Sequence, residues 1–202
     1  MRASHVVAIA VVSLFVAVGS ARADRFRPVP DGAGLELRVV GYDGGVNGQL
    51  TVELRNPGTA PVRFVAEGMY FVPRGDADVA PQRLGAVGLV KVVGDREAVH
   101  RRGVDVPPGV VARVQLEVFC IDSERDSPTS STRFVMAGKR MPVALGAAIT
   151  ADARKAVKAH GGIDNAAGRQ AVQRAVWTAR ELRWFALQGD GRQEVTLRRG
   201  GK

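Results

Sequence analysis

Short segments between residues 35 and 145 alternate apolar and polar side chains, which is the pattern of β-strands with one buried face. In the clearest segment the apolar positions are Ala112, Val114, Leu116, Val118 and Cys120, and the polar positions between them are Arg113, Gln115 and Glu117. The same pattern predicts further strands over 35–40, 50–55, 62–66, 69–72, 84–93, 103–106, 134–136 and 141–145. Frequent glycine and proline residues separate these segments, so we expect a mainly β fold, an Ig-like or barrel-like β-sandwich.

The apolar period becomes helical in the last quarter of the chain. Thr150 is predicted to cap a first helix over 151–160, and the glycine pair 161–162 to end it. Asp164 is predicted to cap a second helix that reaches about Gln188. Its buried face is predicted to contain Val172, Ala175, Val176, Ala179, Leu182 and Ala186. We expect the two helices to form a hairpin packed on the β-sandwich.

The N-terminus has the three parts of a secretory signal peptide. Arg2 supplies a positive charge, 6–18 is an apolar run, and Ala21 and Ala23 are small residues at the positions that signal peptidase reads. The apolar run is too short to cross a bilayer, so no stable membrane anchor is predicted. We expect cleavage after Ala23 and a mature protein in the periplasm or outside the cell. The predicted divisions are a signal peptide (1–23), a linker (24–34), a β-sandwich domain (35–145), a helical segment (146–189) and a basic tail (190–202).

The chain is basic, with a formal net charge of +9, and the excess is concentrated near the C-terminus. Residues 151–202 contain eleven Lys and Arg against five Asp and Glu. In an exported protein this charge favours anionic envelope polymers or lipid headgroups over nucleic acid. The partner that we expect is a protein or an envelope polymer. A solvated helix face is the simpler interpretation of the same charges, and the sequence leaves the oligomeric state open.

Few residue types that support catalysis are present after the signal peptide. The part of the chain after the signal peptide contains two histidines, His100 and His160. Nothing in the sequence places either of them beside Cys120. No cluster of His, Asp or Glu has the spacing of metal ligands. The acidic residues Asp122, Glu124 and Asp126 are interpreted as a solvated turn. We therefore predict no metal, no cofactor and no enzymatic activity.

Cys120 is the only cysteine, so it cannot form a disulfide within the chain even in a compartment that permits disulfides. Its position on the apolar side of a strand favours a buried core residue. An intermolecular disulfide and a reactive thiol are the other two interpretations.

Two short motifs resemble the signatures of bacterial thioester domains, which are exported adhesion modules. The motifs are Phe-Cys-Ile-Asp at 119–122 and Gln-Arg-Ala-Val-Trp at 173–177. The resemblance implies a bond between the Cys120 sulfur and the side-chain carbonyl of Gln173, shielded by Trp177 and Phe119. Such a thioester would attach the domain covalently to partner amines. A non-covalent β-sandwich binding module with a structural, buried cysteine is the alternative.

Overall fold

The structure is a computed structural model that describes residues 25–44, 48–94 and 99–190. The signal peptide predicted over 1–23 and nearly all of the basic tail predicted over 190–202 lie outside the described residues. The strands are β1 (Arg27–Pro28), β2 (Glu36–Tyr42), β3 (Gln49–Arg55), β4 (Val62–Phe64), β5 (Tyr70–Pro73), β6 (Leu84–Val92), β7 (Val104–Val106), β8 (Val111–Cys120) and β9 (Phe134–Met136), and the helices are α1 (Val143–Ala159) and α2 (Ala166–Leu182).

Seven of these strands form one antiparallel sheet in the order β1-β2-β3-β8-β6-β5-β9, and β4 pairs with β7 in a small second sheet. The large sheet curls until β2 approaches β9, where the rings of Tyr42 and Phe134 meet edge to face with their centroids 5.3 Å apart. The mainly β fold with a C-terminal helical hairpin is therefore confirmed. Strand β1 lies within 24–34, the segment predicted to be a linker, and Val29 beside it is buried.

Side-chain alternation along β8 divides the buried residues into two clusters, one on each face of the sheet. The inner cluster, inside the curl, includes Leu116, Val118 and Cys120. The outer cluster includes Phe119 and Ile121 together with the apolar faces of both helices. The helical hairpin therefore covers the outer face of the sheet at the end of β8, opposite the side on which the Cys120 side chain is buried.

Helix α1 begins earlier than the sequence pattern predicts. Because it starts at Val143, the strand predicted over 141–145 is wrong, and Thr150 is a buried residue within the helix rather than its cap. Pro142 precedes the first turn, where its missing N–H costs nothing. The buried residues Leu145, Ile149 and Ala153 are four positions apart. A short apolar run does not by itself distinguish strand from helix, which explains the error.

Helix α2 begins and ends at different residues from those predicted. Its cap is Asn165 rather than Asp164, and the Asn165 Oδ1 accepts a hydrogen bond from Gly168 N at 2.7 Å. The helix ends at Leu182, which is 74% exposed rather than buried, and does not continue to Gln188. The glycine pair that was predicted to end the first helix, Gly161 and Gly162, lies in the turn after α1. Both glycines have positive φ. Over the described ranges, neither helix is long and apolar enough to cross a membrane.

Candidate functional site

Strand β8 extends beyond its neighbour β3. Within the described residues, the register between these strands ends with Gln49 opposite Glu117, three positions before Cys120. On the other side, β6 bonds to the chain just after Cys120, through Ile121 N to Arg83 O at 3.0 Å. Successive residues of an antiparallel strand direct their backbone groups to alternate sides. The N–H and C=O of Cys120 therefore point away from β6, toward the side on which the β3 register has ended.

The carboxamide of Gln173 bonds both of these backbone groups. Its Oε1 accepts a hydrogen bond from Cys120 N at 3.1 Å, and its Nε2 donates one to Cys120 O at 2.7 Å. A carboxamide carries the same donor and acceptor as a peptide group, so Gln173 continues the ladder where a strand is missing. Gln173 is 5% exposed, which makes this pairing a buried one. The two residues singled out by the motifs are in contact, through the backbone of the cysteine.

The thiol of Cys120 is a fully buried member of the inner cluster. Burial raises the pKa of this thiol to about 12, and the Asp122 carboxylate contributes in the same direction. Because the thiolate is the nucleophilic form, the cysteine is protonated and weakly reactive at neutral pH. The thioester with Gln173 stays a prediction. The geometry by itself accounts for a core thiol and a hydrogen-bonded carboxamide.

The two predicted shielding residues lie close to this pair, on different clusters. Phe119 is fully buried in the outer cluster, and the guanidinium of Arg169 lies 5.7 Å from its ring centroid. Trp177 is partly buried against the inner cluster, and its Nε1 donates to Gln82 Oε1 at 3.4 Å. The two rings therefore pack in different clusters, and their shielding of the Cys120–Gln173 contact stays a prediction.

An ion network that the sequence pattern did not predict adjoins the same strand end. Arg83 is fully buried and donates to the Asp122 carboxylate from Nε at 2.8 Å and from Nη2 at 2.5 Å. Its Nη2 also lies 2.6 Å from Asp190 Oδ1, and its Nη1 donates to Gln188 O at 3.2 Å. Although burial favours the neutral form, these carboxylates raise the pKa of Arg83. The network attaches the segment after α2 to the sheet, and the interpretation of Asp122 as solvated is wrong.

A second buried carboxylate, Glu117, lies within β8, before the end of the strand. Glu117 has a side chain that is 1% exposed, and it contacts His100, Gln49 and Arg169. In the sequence its position alternates with the apolar residues and therefore indicated a solvent-facing side chain. The helical hairpin covers that face, which no local pattern reveals. His100 is thus placed beside a glutamate rather than beside the Cys120 thiol.

A surface cleft of about 540 Å³ lies where α1 begins. Val143 at its edge is 87% exposed, and Gly68 and Gly146 form part of its wall. A Cβ atom on Gly146 would come within 2.9 Å of the Gly68 Cα, so the helix packs directly on the loop backbone. The charged side chains of the cleft lining include both signs, namely Asp31, Glu67, Lys139 and Arg140.

Arg140 fixes the shape of this cleft. Its guanidinium donates to three backbone carbonyls, Pro30 O at 3.0 Å, Val65 O at 3.1 Å and Glu67 O. Partial burial lowers the pKa of Arg140, while Asp31 and Glu67 oppose that effect. The three bonds join the segment after β1 to the loop before β5. The cleft is therefore preformed, and Arg140 acts as a structural side chain within it.

The described part of the chain places no group of three or more His, Cys, Asp or Glu residues where they could hold a metal ion. No protein-family model matches the chain, and no curated protein or solved structure does either. Two features of the described residues bear on function, the Cys120–Gln173 contact and the cleft at the start of α1.

Proposed function

We propose that the protein is an exported, non-enzymatic interaction domain that binds a protein partner non-covalently through the cleft at the start of α1. The observation that carries this proposal is the combination of a preformed cleft with a fully projecting apolar side chain, Val143, at its edge. Concave sites with apolar walls and a few fixed polar groups are the usual location of binding.

The charges of the cleft favour a protein segment over a uniformly anionic polymer. Lys139 would attract an anionic partner, but Asp31 and Glu67 in the same lining would repel it. A protein segment offers both signs of charge together with apolar side chains, so it can complement all three kinds of group. The mixed charges of the cleft therefore support a protein, of the two partner classes that the sequence allows.

In this proposal the Cys120–Gln173 contact has a structural role. Export is expected from the N-terminal sequence, and it predicts that secreted protein begins at Asp24, which N-terminal sequencing tests directly. The thiol serves as a core side chain, and the carboxamide completes the end of β8. Replacing Cys120 by alanine should therefore leave partner binding intact.

Two exposed valines allow a matched test of the cleft. Val143 is 87% exposed at the cleft, and Val79 is 82% exposed and does not line it. Immobilised wild-type, Val143→Glu and Val79→Glu proteins would be incubated with an envelope extract, and the retained proteins quantified by mass spectrometry. We expect a protein that the wild type and Val79→Glu retain and that Val143→Glu loses. Equal retention of every protein by both variants would contradict the proposal.

Covalent attachment through a thioester is the second candidate function, and it is supported by the contact of Gln173 with Cys120 in a buried setting. The sulfur would bond the side-chain carbonyl carbon of Gln173 while the bond from that carbon to Nε2 breaks, and ammonia leaves with the thiol proton. A lysine amine of a partner would then displace the sulfur, giving an amide and a free thiol.

The intact mass of the mature protein decides between the two candidates. A thioester makes the wild type lighter by one ammonia than its sequence mass, and methylamine then adds at Gln173. The Cys120→Ala variant is the control, because it can do neither. A wild type at its full sequence mass, inert to methylamine, eliminates the covalent candidate and leaves the non-covalent one in place.

A further inference from the structure

The Glu117 carboxylate connects the sheet to the helical hairpin. Its Oε1 accepts a hydrogen bond from Gln49 Nε2 at 2.5 Å and lies 2.8 Å from His100 Nε2. Its Oε2 accepts a hydrogen bond from Arg169 Nη2 at 3.0 Å. A carboxylate with a side chain that is 1% exposed is stable only when its charge is compensated by such partners.

Two of the groups around this carboxylate belong to the start of α2 and to the turn before it. Arg169 lies in the first turns of α2 and also donates from Nη1 to Ile163 O at 3.3 Å. Asp164 Oδ2 lies 3.9 Å from His100 Nδ1. His100 itself belongs to the loop before β7. The ionic contacts of Glu117 and His100 therefore join this end of the hairpin to the sheet.

The balance of charge at this joint depends on the proton of His100. With His100 neutral, the two cations Arg169 and Lys91 face three carboxylates, those of Glu117, Asp164 and Asp43. With His100 protonated, there are three cations and three carboxylates. The charged groups that face Glu117 or His100 are Arg169 of α2, Asp164 of the turn before α2, Lys91 of β6 and Asp43 after β2. Gln49 of β3 is the neutral member.

We propose that Glu117, His100, Arg169 and Asp164 form a pH-sensitive latch that holds the start of α2 against the sheet and loosens when His100 loses its proton. Opening of the latch would uncover the helix face that carries Gln173, and with it the end of β8. The proposal stands on these contacts alone and does not depend on which function the cleft or the thiol performs.

The direction of the effect follows from linkage. The hydrogen bond with Glu117 raises the pKa of His100 above 6.5, with Asp164 adding to the rise and burial opposing it. A raised pKa means stabilisation that is complete below pH 6.5 and disappears as the pH rises through the folded-state value. Burial favours the neutral form of Glu117, but His100 and Arg169 bring its pKa below 4.5. The latch is therefore strongest between about pH 4.5 and 6.5 and weakens on either side.

Hydrogen exchange measured by mass spectrometry on the mature protein tests the latch. Amides of 166–173 would be followed at pH 5.5, 7.0 and 8.5, corrected for the intrinsic dependence of exchange on pH, with the β3 amides as an internal reference. We expect protection of 166–173 relative to β3 to fall by about threefold or more from pH 5.5 to 8.5. Constant relative protection in the wild type would overturn the proposal.

Three variants separate titration of His100 from general stability. His100→Gln keeps a hydrogen-bond donor for Glu117 but cannot titrate, so its relative protection should not change with pH. His160→Gln is the matched control, since His160 is exposed at the end of α1, and it should behave as the wild type does. Asp164→Asn changes a side chain that is 77% exposed, and it should move the transition to lower pH. A wild-type pH profile in either His100→Gln or Asp164→Asn would overturn the proposal.

Discussion

Replacing Gln173 by leucine tests the interpretation that its carboxamide substitutes for a missing strand. The side chains are similar in size, so the variant removes the donor and the acceptor while filling most of the same space. The N–H and C=O of Cys120 then lose the partners that they have at 3.1 and 2.7 Å. Because both groups are buried, water does not readily replace the carboxamide.

The magnitude follows from the cost of leaving buried polar groups without partners. Each of the two groups costs about 1–3 kcal/mol, and burying leucine instead of glutamine returns about 1 kcal/mol, so we expect a net loss of about 1–5 kcal/mol in the free energy of unfolding. Gln170→Leu is the matched control on the same helix. Since Gln170 is exposed, that variant should change stability by less than about 0.5 kcal/mol.

Urea unfolding provides the measurement. The only two tryptophans, Trp177 and Trp184, belong to α2 and the residues just after it, so their fluorescence follows the hairpin directly. Circular dichroism follows the whole fold and shows whether the hairpin and the sheet unfold together. If Gln173→Leu is as stable as Gln170→Leu, the carboxamide does not complete β8 and the argument is wrong.

Three further substitutions and one control variant test other parts of the structure by the same unfolding assay. Cys120→Ala should add to Gln173→Leu within about 0.5 kcal/mol, because the glutamine bonds the backbone and not the thiol, and strong coupling would contradict that separation. Arg83→Met should cost about 3–5 kcal/mol by leaving buried Asp122 without its cation and Asp190 with only Arg180 at 3.7 Å, whereas Arg63→Met, at an exposed ion pair, should cost less than about 1 kcal/mol. Gly146→Ala should destabilise, since a clash at 2.9 Å outweighs about 1 kcal/mol of gained helix propensity.

Local periodicity was sufficient to predict the architecture of this chain. The alternation over Ala112 to Cys120 placed β8 correctly and assigned Cys120 to the core, because a strand with one face in the core shows a period of two. It was not sufficient for the start of α1. There the run from Val143 to Ile149 is apolar on every side, and burial by the sheet and the cleft loop decides between helix and strand.

The buried charges could not be predicted in the same way. Glu117 and Asp122 occupy positions that local patterns assign to solvent, and each is buried because a distant segment covers it. Their partners are remote in sequence: Arg169 is 52 residues from Glu117, and Arg83 is 39 residues from Asp122. Pairing over such separations depends on the tertiary fold, which sets the position of the hairpin and of the segment that follows it.

The two motifs predict a bond between the Cys120 sulfur and Gln173, whereas the observed contact of Gln173 is with the Cys120 backbone and has a simpler physical reason. Where a strand extends beyond its neighbour, its last N–H and C=O need an acceptor and a donor at a fixed distance. A glutamine on a facing helix provides both with one side chain. Glutamate provides only acceptors, and asparagine has a side chain one methylene shorter. If this account is correct, Gln173→Glu and Gln173→Asn should each lose stability although both side chains are polar. Full stability of Gln173→Asn would show that the distance requirement is wrong.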